Sequence, residues 1–182
     1  GLGSAGLYWA NLIVSDLVKD EEGNTWDDWS EHVIGYSLAM EVPTKMKNLR
    51  IGVGASLKGF YVNTNIEDDN GNVSSGSGGG FDLGIMLKYK YFSVGANFKD
   101  VYSFISYQDH ERDILPFTYD VGIGVNLLKN YIISTSFVGD KDDALKKIAF
   151  GAEASLFKDI LMLRGGIANH FGEESRITFH TG

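Results

Sequence analysis

Apolar and polar residues alternate one for one over long stretches of this chain. Successive side chains on a β-strand point to opposite faces, so every second residue reports on one face. From Leu49 to Val62 one face carries Leu49, Ile51, Val53, Ala55, Leu57 and Tyr61, and the other Arg50, Gly52, Gly54, Ser56 and Lys58. Phe81, Leu83, Ile85, Leu87 and Tyr89 oppose Asp82, Gly84, Met86 and Lys88 in the same way. The alternation recurs over Phe92–Lys99 and over Phe117–Leu127, where the polar side holds Thr118, Asp120, Gly122, Gly124 and Asn126. It returns over Ile148–Leu156, with Gly151, Glu153 and Ser155 on the polar side, and over Leu161–Ile167, with Arg164 and Gly166. Less regular runs at Gly6–Ser15, Val33–Val42, Tyr131–Val138 and Arg176–His180 bring the predicted strands to about ten.

Long and short connections alternate between these segments. The long ones run from Asp16 to His32, Asn63 to Gly79, Ser103 to Leu115, Gly139 to Lys147 and Asn169 to Ser175. The short ones lie near Pro43 to Asn48, at Lys90, at Leu128 to Asn130 and at Lys158 to Asp159. Most strands are about 8 to 14 residues long, against the ~9–11 tilted residues that cross a bilayer core and the ~5–6 usual in soluble sheets. In water the apolar face of such a sheet turns inward; in a bilayer it turns to lipid and the polar face lines a lumen. Here the polar face is rich in Gly rather than in Lys and Glu. Tyr61, Tyr89, Tyr91, Phe92, Phe117 and Tyr119 fall near strand ends, where interfacial aromatic girdles sit. The expected fold is a single all-β domain over residues 1–182, an antiparallel transmembrane β-barrel. A soluble β-sandwich or lipocalin-like binder is the alternative that alternation alone leaves open. The longest apolar runs are about four residues, far short of the ~20 of a membrane helix, which excludes a helical membrane protein.

Composition and charge sharpen this picture. The chain has 23 Gly, 3 Trp, 9 Tyr, 11 Phe, 2 Pro and no Cys, and its formal net charge is −8. The long connections hold 18 of the 24 acidic residues, whereas the short turns carry Lys45, Lys47, Lys90, Lys129 and Lys158, so the two rims differ in sign. An acidic balance without a basic aromatic stripe argues against nucleic acid. The four His are scattered, and His110, between Asp109 and Glu111, reads as part of a solvated loop, as does His32. No His or Cys recurs at ligand spacing and no Ser sits in a nucleophile elbow, so no metal, cofactor or enzymatic activity is expected. Glu67 to Asn72 lacks the spacing of a calcium loop and reads as a turn. Ser74 to Gly80 reads as a flexible loop, without the Lys and following helix of a phosphate-binding loop.

Several short motifs resemble those of the PorV and FadL-like outer-membrane barrel superfamily. They are Gly52-Val53-Gly54-Ala55-Ser56-Leu57-Lys58, Gly80-Phe81-Asp82-Leu83-Gly84, Ser93-Val94-Gly95-Ala96-Asn97, Leu115-Pro116 with Val121-Gly122-Ile123-Gly124-Val125, Gly151-Ala152-Glu153 and Leu163-Arg164-Gly165-Gly166. Together they span roughly Val33 to Ile167. The resemblance implies a bacterial outer-membrane location and passive transport of small or hydrophobic molecules. Its PorV side implies instead a scaffold or anchor for a secretion or surface-layer assembly. Barrels of this group have more strands than ten, a lumen plug and a C-terminal strand ending in an aromatic residue. The ten strands are therefore expected either to close alone or to form part of a larger barrel.

The candidate site residues follow from the face assignment. Arg50, Lys58, Asp82, Lys88, Asp120, Glu153 and Arg164 all fall on the polar face and are expected to line the lumen, either paired as an ion network or acting as a selectivity filter. A turn centred between Lys158 and Asp159 would set Glu153 directly opposite Arg164. Trp26 and Trp29, in the first acidic loop, are candidate anchors for a protein partner or for the membrane interface.

Overall fold

The structure is a computed structural model that describes residues 3–14, 18–19, 25–26, 29–67, 73–107, 112–127, 130–156, 161–171 and 176–181. Among these residues every regular element is a strand: β1 (Gly3–Val14), β2 (Val18–Lys19), β3 (Thr25–Trp26), β4 (Trp29–Val42), β5 (Leu49–Glu67), β6 (Val73–Tyr89), β7 (Phe92–Tyr107), β8 (Asp113–Ile114), β9 (Thr118–Leu127), β10 (Tyr131–Asp140), β11 (Lys147–Leu156), β12 (Leu161–His170) and β13 (Arg176–Thr181). Ten of them form one antiparallel meander in the order β1-β4-β5-β6-β7-β9-β10-β11-β12-β13. These are the ten segments that the alternation predicts. The short β8 pairs with β7 beside β9, and β2 pairs only with β3. The sheet is open, because β1 and β13 form its two edges and do not pair with each other.

Register places the faces. Lys58 stands opposite Gly35 and Gly80, Asp82 opposite Ser56, and Lys88 opposite Arg50. Asp120 pairs with Asn97 and Glu153 with both Ile132 and Arg164, so all seven predicted lumen residues share one side of the sheet. The other side presents an apolar surface, with Leu57 65% exposed, Ile133 54% and Phe150 58%. From Ala55 to Asn63 of β5 the polar-side residues are the less accessible ones. We call that side the inner face.

Strand lengths depart from the expectation at the long-connection end. The run Ser74–Gly80, expected to be a flexible loop, lies within β6, and β7 continues to Tyr107 through much of the expected third long loop. The reason is steric. Gly76, Gly78 and Gly80 lie on the inner face of β6, and a Cβ added at Gly78 would come within 1.8 Å of the Phe104 carbonyl oxygen. The missing side chains make room for Phe60, Val62 and Ile105 on the flanking strands, which are buried with Trp29, Val33, Tyr107 and Leu115 packed around them. Trp29 is thus a half-buried side chain at the start of β4, packed against this cluster, and not a loop residue. Trp26 belongs to β3, and its side chain lies outside the described residues, as do His110, the turn residues Lys158 and Asp159, and the stretch 68–72. His32, expected in a solvated loop, is a β4 residue on the outer face. It is stacked on Trp9 with ring centroids 6.1 Å apart, and the Asn11 amide lies 2.9 Å from its Nδ1.

Candidate functional site on the inner face

The middle of the inner face is floored by small residues. Gly52, Gly95, Gly122, Ser136, Ala149 and Ala168 follow one another along the ladder, broken by Met86 between the first two. An open cavity of about 690 Å³ lies over this floor, lined from Ala39 of β4 round to Gly151 of β11. Among the described residues Asp120 is the one charged residue in its lining, beside Asn97, Ser93, Ser134 and Ser136. Large side chains on adjacent strands would fill this space, and the alternation of Gly with apolar residues is what keeps it empty.

Charged groups surround the cavity in separate clusters. Toward the short turns, Arg50 donates from Nε to Glu41 Oε1 at 3.0 Å and from Nη2 to Oε2 at 2.6 Å. Lys88 stands opposite Arg50 in the next strand. Glu153 and Arg164 form the expected cross-strand ion pair, with Arg164 Nε 2.5 Å from Glu153 Oε2. Toward the long connections, Lys58 reaches two carboxylates, Asp82 Oδ1 at 2.8 Å and Asp100 Oδ1 at 2.5 Å. These three side chains are only 10 to 19% exposed, so their charges interact more strongly than exposed pairs would.

Asp100 and Glu41 are the partners that the sequence reading missed. Asp100 has the same parity as Phe98 and Tyr102, which face outward. However, the single residue Asp82 stands where Lys99, Asp100 and Val101 face it, a bulge in β7. At the centre of that bulge Asp100 adopts φ 53°, a left-handed conformation that Asp tolerates better than most residues. The turn of the backbone swings its carboxylate inward to Lys58, while its own N–H donates to Asp82 Oδ1 at 2.8 Å. Glu41 belongs to one of the less regular predicted strands, where the polar face is hard to read from sequence. The structure thus gathers Lys58 with Asp82 and Glu153 with Arg164, and leaves Arg50, Lys88 and Asp120 apart from both groups.

The long-connection rim carries one built loop. The Asp140 carboxylate accepts N–H bonds from Asp142 at 3.0 Å and Asp143 at 2.8 Å, and it pairs with Lys146. Tyr119 donates its hydroxyl to the Ala144 carbonyl at 2.6 Å, which ties this loop to β9. The Lys146 ammonium, and after it the Asp143 N–H, hold the Asp140 carboxyl below the usual carboxylate range, while Asp140 raises Lys146 in return. Among the described residues no group of three or more His, Asp or Glu is placed to hold a metal ion.

Comparison of the chain with protein-family models, with curated proteins and with solved structures returns no match. The functional reading therefore rests on the geometry.

Proposed function

We propose that this protein is a wall of an outer-membrane β-barrel, its apolar face against lipid and its glycine-lined face bounding a passage for small or hydrophobic molecules. One observation carries the reading: a ten-strand antiparallel meander exposes a continuous apolar surface on one side and a cavity, ion pairs and small residues on the other. Lipid offers a backbone N–H no hydrogen-bond partner, so in a bilayer the edges β1 and β13 must be covered by each other or by further strands. The resemblance to PorV and FadL-like barrels agrees with this assignment.

A scaffold or anchor role is the second reading. The packed cluster of Phe60, Val62 and Ile105 favours it, because it fills part of the inner face instead of opening it. Reconstitution into phosphatidylcholine vesicles separates the two. A passage makes the vesicles swell in iso-osmotic small sugars, whereas an anchor inserts without permeability. Extraction as a monodisperse species in detergent-free buffer would overturn both and favour a soluble sandwich or lipocalin-like binder.

A further inference from the structure

We propose that the inner-face cavity binds a neutral polyhydroxylated solute of sugar size, with Asp120 and Asn97 holding its hydroxyls. The proposal rests on the reading of this face as the solute side and adds the chemical class of what it holds. The register sets polar side chains around a bare patch of backbone. Gly95 pairs with Gly122, and one step toward the long connections Asn97 pairs with Asp120. One step the other way, Ser93 and Ser134 stand on either side of Gly124, while Ser136 flanks Gly122. All of these residues line the same cavity of about 690 Å³. At ~3.3 Å per residue and ~4.8 Å between strands, the polar groups frame a patch roughly 13 Å by 10 Å.

Packing does not account for the bare backbone. A Cβ added at Gly95 would have its nearest neighbour at 3.7 Å, the Ile85 carbonyl oxygen, and one at Gly122 at 3.5 Å, both ordinary contact. Glycine inside a strand weakens it, so these two give up stability and leave only space. Charge then selects the occupant. Among the described residues Glu41, Asp82, Asp100 and Glu153 each have a cation within ion-pair distance, and Asp120 has none. Lys88, Lys99 and Lys147, the inner-face cations on the surrounding strands, lie outside the cavity lining. An unpaired carboxylate repels an anionic solute, and its two oxygens can accept from adjacent hydroxyls at once. Asn97 adds a donor and an acceptor, and each serine hydroxyl serves as either. Such a mixed set matches a solute with donors and acceptors around its ring better than an ammonium, which only donates. Met86, 52% exposed beside Gly95, gives the C–H face of that ring an apolar contact.

Saturation transfer from protein to maltose, measured by NMR on the full chain in a zwitterionic, sugar-free detergent, tests this. Saturable binding is expected. Asp120→Asn keeps the shape but removes the charge, and should weaken binding by about tenfold. Gly95→Val fills the floor and should abolish it. Asp142→Asn, which removes a carboxylate from the rim loop, should leave it unchanged. Heat-dependent gel mobility reports whether each variant is folded, and the isosteric Asp120→Asn decides the matter should Gly95→Val fail to fold. Non-saturable transfer, equal weakening by Asp142→Asn, or full binding by Asp120→Asn or by folded Gly95→Val overturns the site. Tetramethylammonium that binds through Asp120 where maltose does not would overturn the sugar class in favour of an organic cation. Absence of binding with vesicle permeability intact would remove this inference alone, and binding in a protein that passes no solute would remove the passage alone.

Discussion

At the scale of single residues, the inner face sorts its glycines into those that fill a steric need and those that leave space. A Cβ at Gly78 would meet the Phe104 carbonyl oxygen at 1.8 Å and Ile105 Cα at 2.8 Å, both backbone atoms that cannot step aside. At Gly122 the nearest atoms are 3.5 and 3.6 Å away, ordinary contact. Gly78→Ala should therefore destabilise the fold by about 1–3 kcal/mol, the usual cost of overpacking, and Gly122→Ala by much less. Denaturant titration of the two variants side by side measures the difference. Lys58 offers the electrostatic counterpart. Lys58→Met leaves Asp82 and Asp100 facing each other without a cation, which should cost about 3–5 kcal/mol. Adding Asp82→Asn and Asp100→Asn should recover much of that loss, and a triple variant as unstable as Lys58→Met would refute the network.

At the scale of elements, strand placement was legible in the sequence wherever apolar and polar residues alternate. The pairing of Glu153 with Arg164 followed from the turn position alone, and the structure gives that register. Two features were not legible, for physical reasons. The Ser74–Gly80 run has neither alternation nor β-branched residues, and it is a strand only because Phe60, Val62 and Ile105 need the room that its glycines leave. Asp100 faces inward because a bulge overrides strand parity, and no spacing rule announces a bulge. Trp29 and His32 were read as loop residues because their acidic neighbours resemble a solvated connection, yet β4 starts early to pair with the extended β5. The rim loop between β10 and β11 makes a prediction at this scale. Asp140 is held below its unfolded value, so its contribution is complete above about pH 4 and fades as pH falls through the depressed value. Lys146, raised, contributes fully below about pH 10 and fades as pH rises through its folded value. Hydrogen exchange at the Asp142 and Asp143 amides should accelerate on acidification, and Asp140→Ala, which removes the acceptor, should exchange fast at every pH.

At the scale of the whole molecule, the outer face must be tolerated by its surroundings. Ile123, 45% exposed, lies within the apolar surface of β9. Ile123→Arg should cost about 2–4 kcal/mol on insertion near a bilayer midplane, read as reduced folding yield in phosphatidylcholine vesicles. Equal yields for Ile123→Arg and wild type would mean that this face does not meet lipid.

The order of the sheet has a further consequence. Apart from the edge pairing that would close it, every ladder in the meander joins strands that follow one another along the chain, with only the short β8 and the separate β2–β3 hairpin lying off that path. Contacts that are close in sequence cost little loop-closure entropy and form early. The sheet can therefore grow one hairpin at a time, each new strand using the last as its template. Under the barrel reading proposed above, closure would come last and be the slow, long-range event, so any arrest in assembly should leave open sheets that are paired throughout except at their two ends.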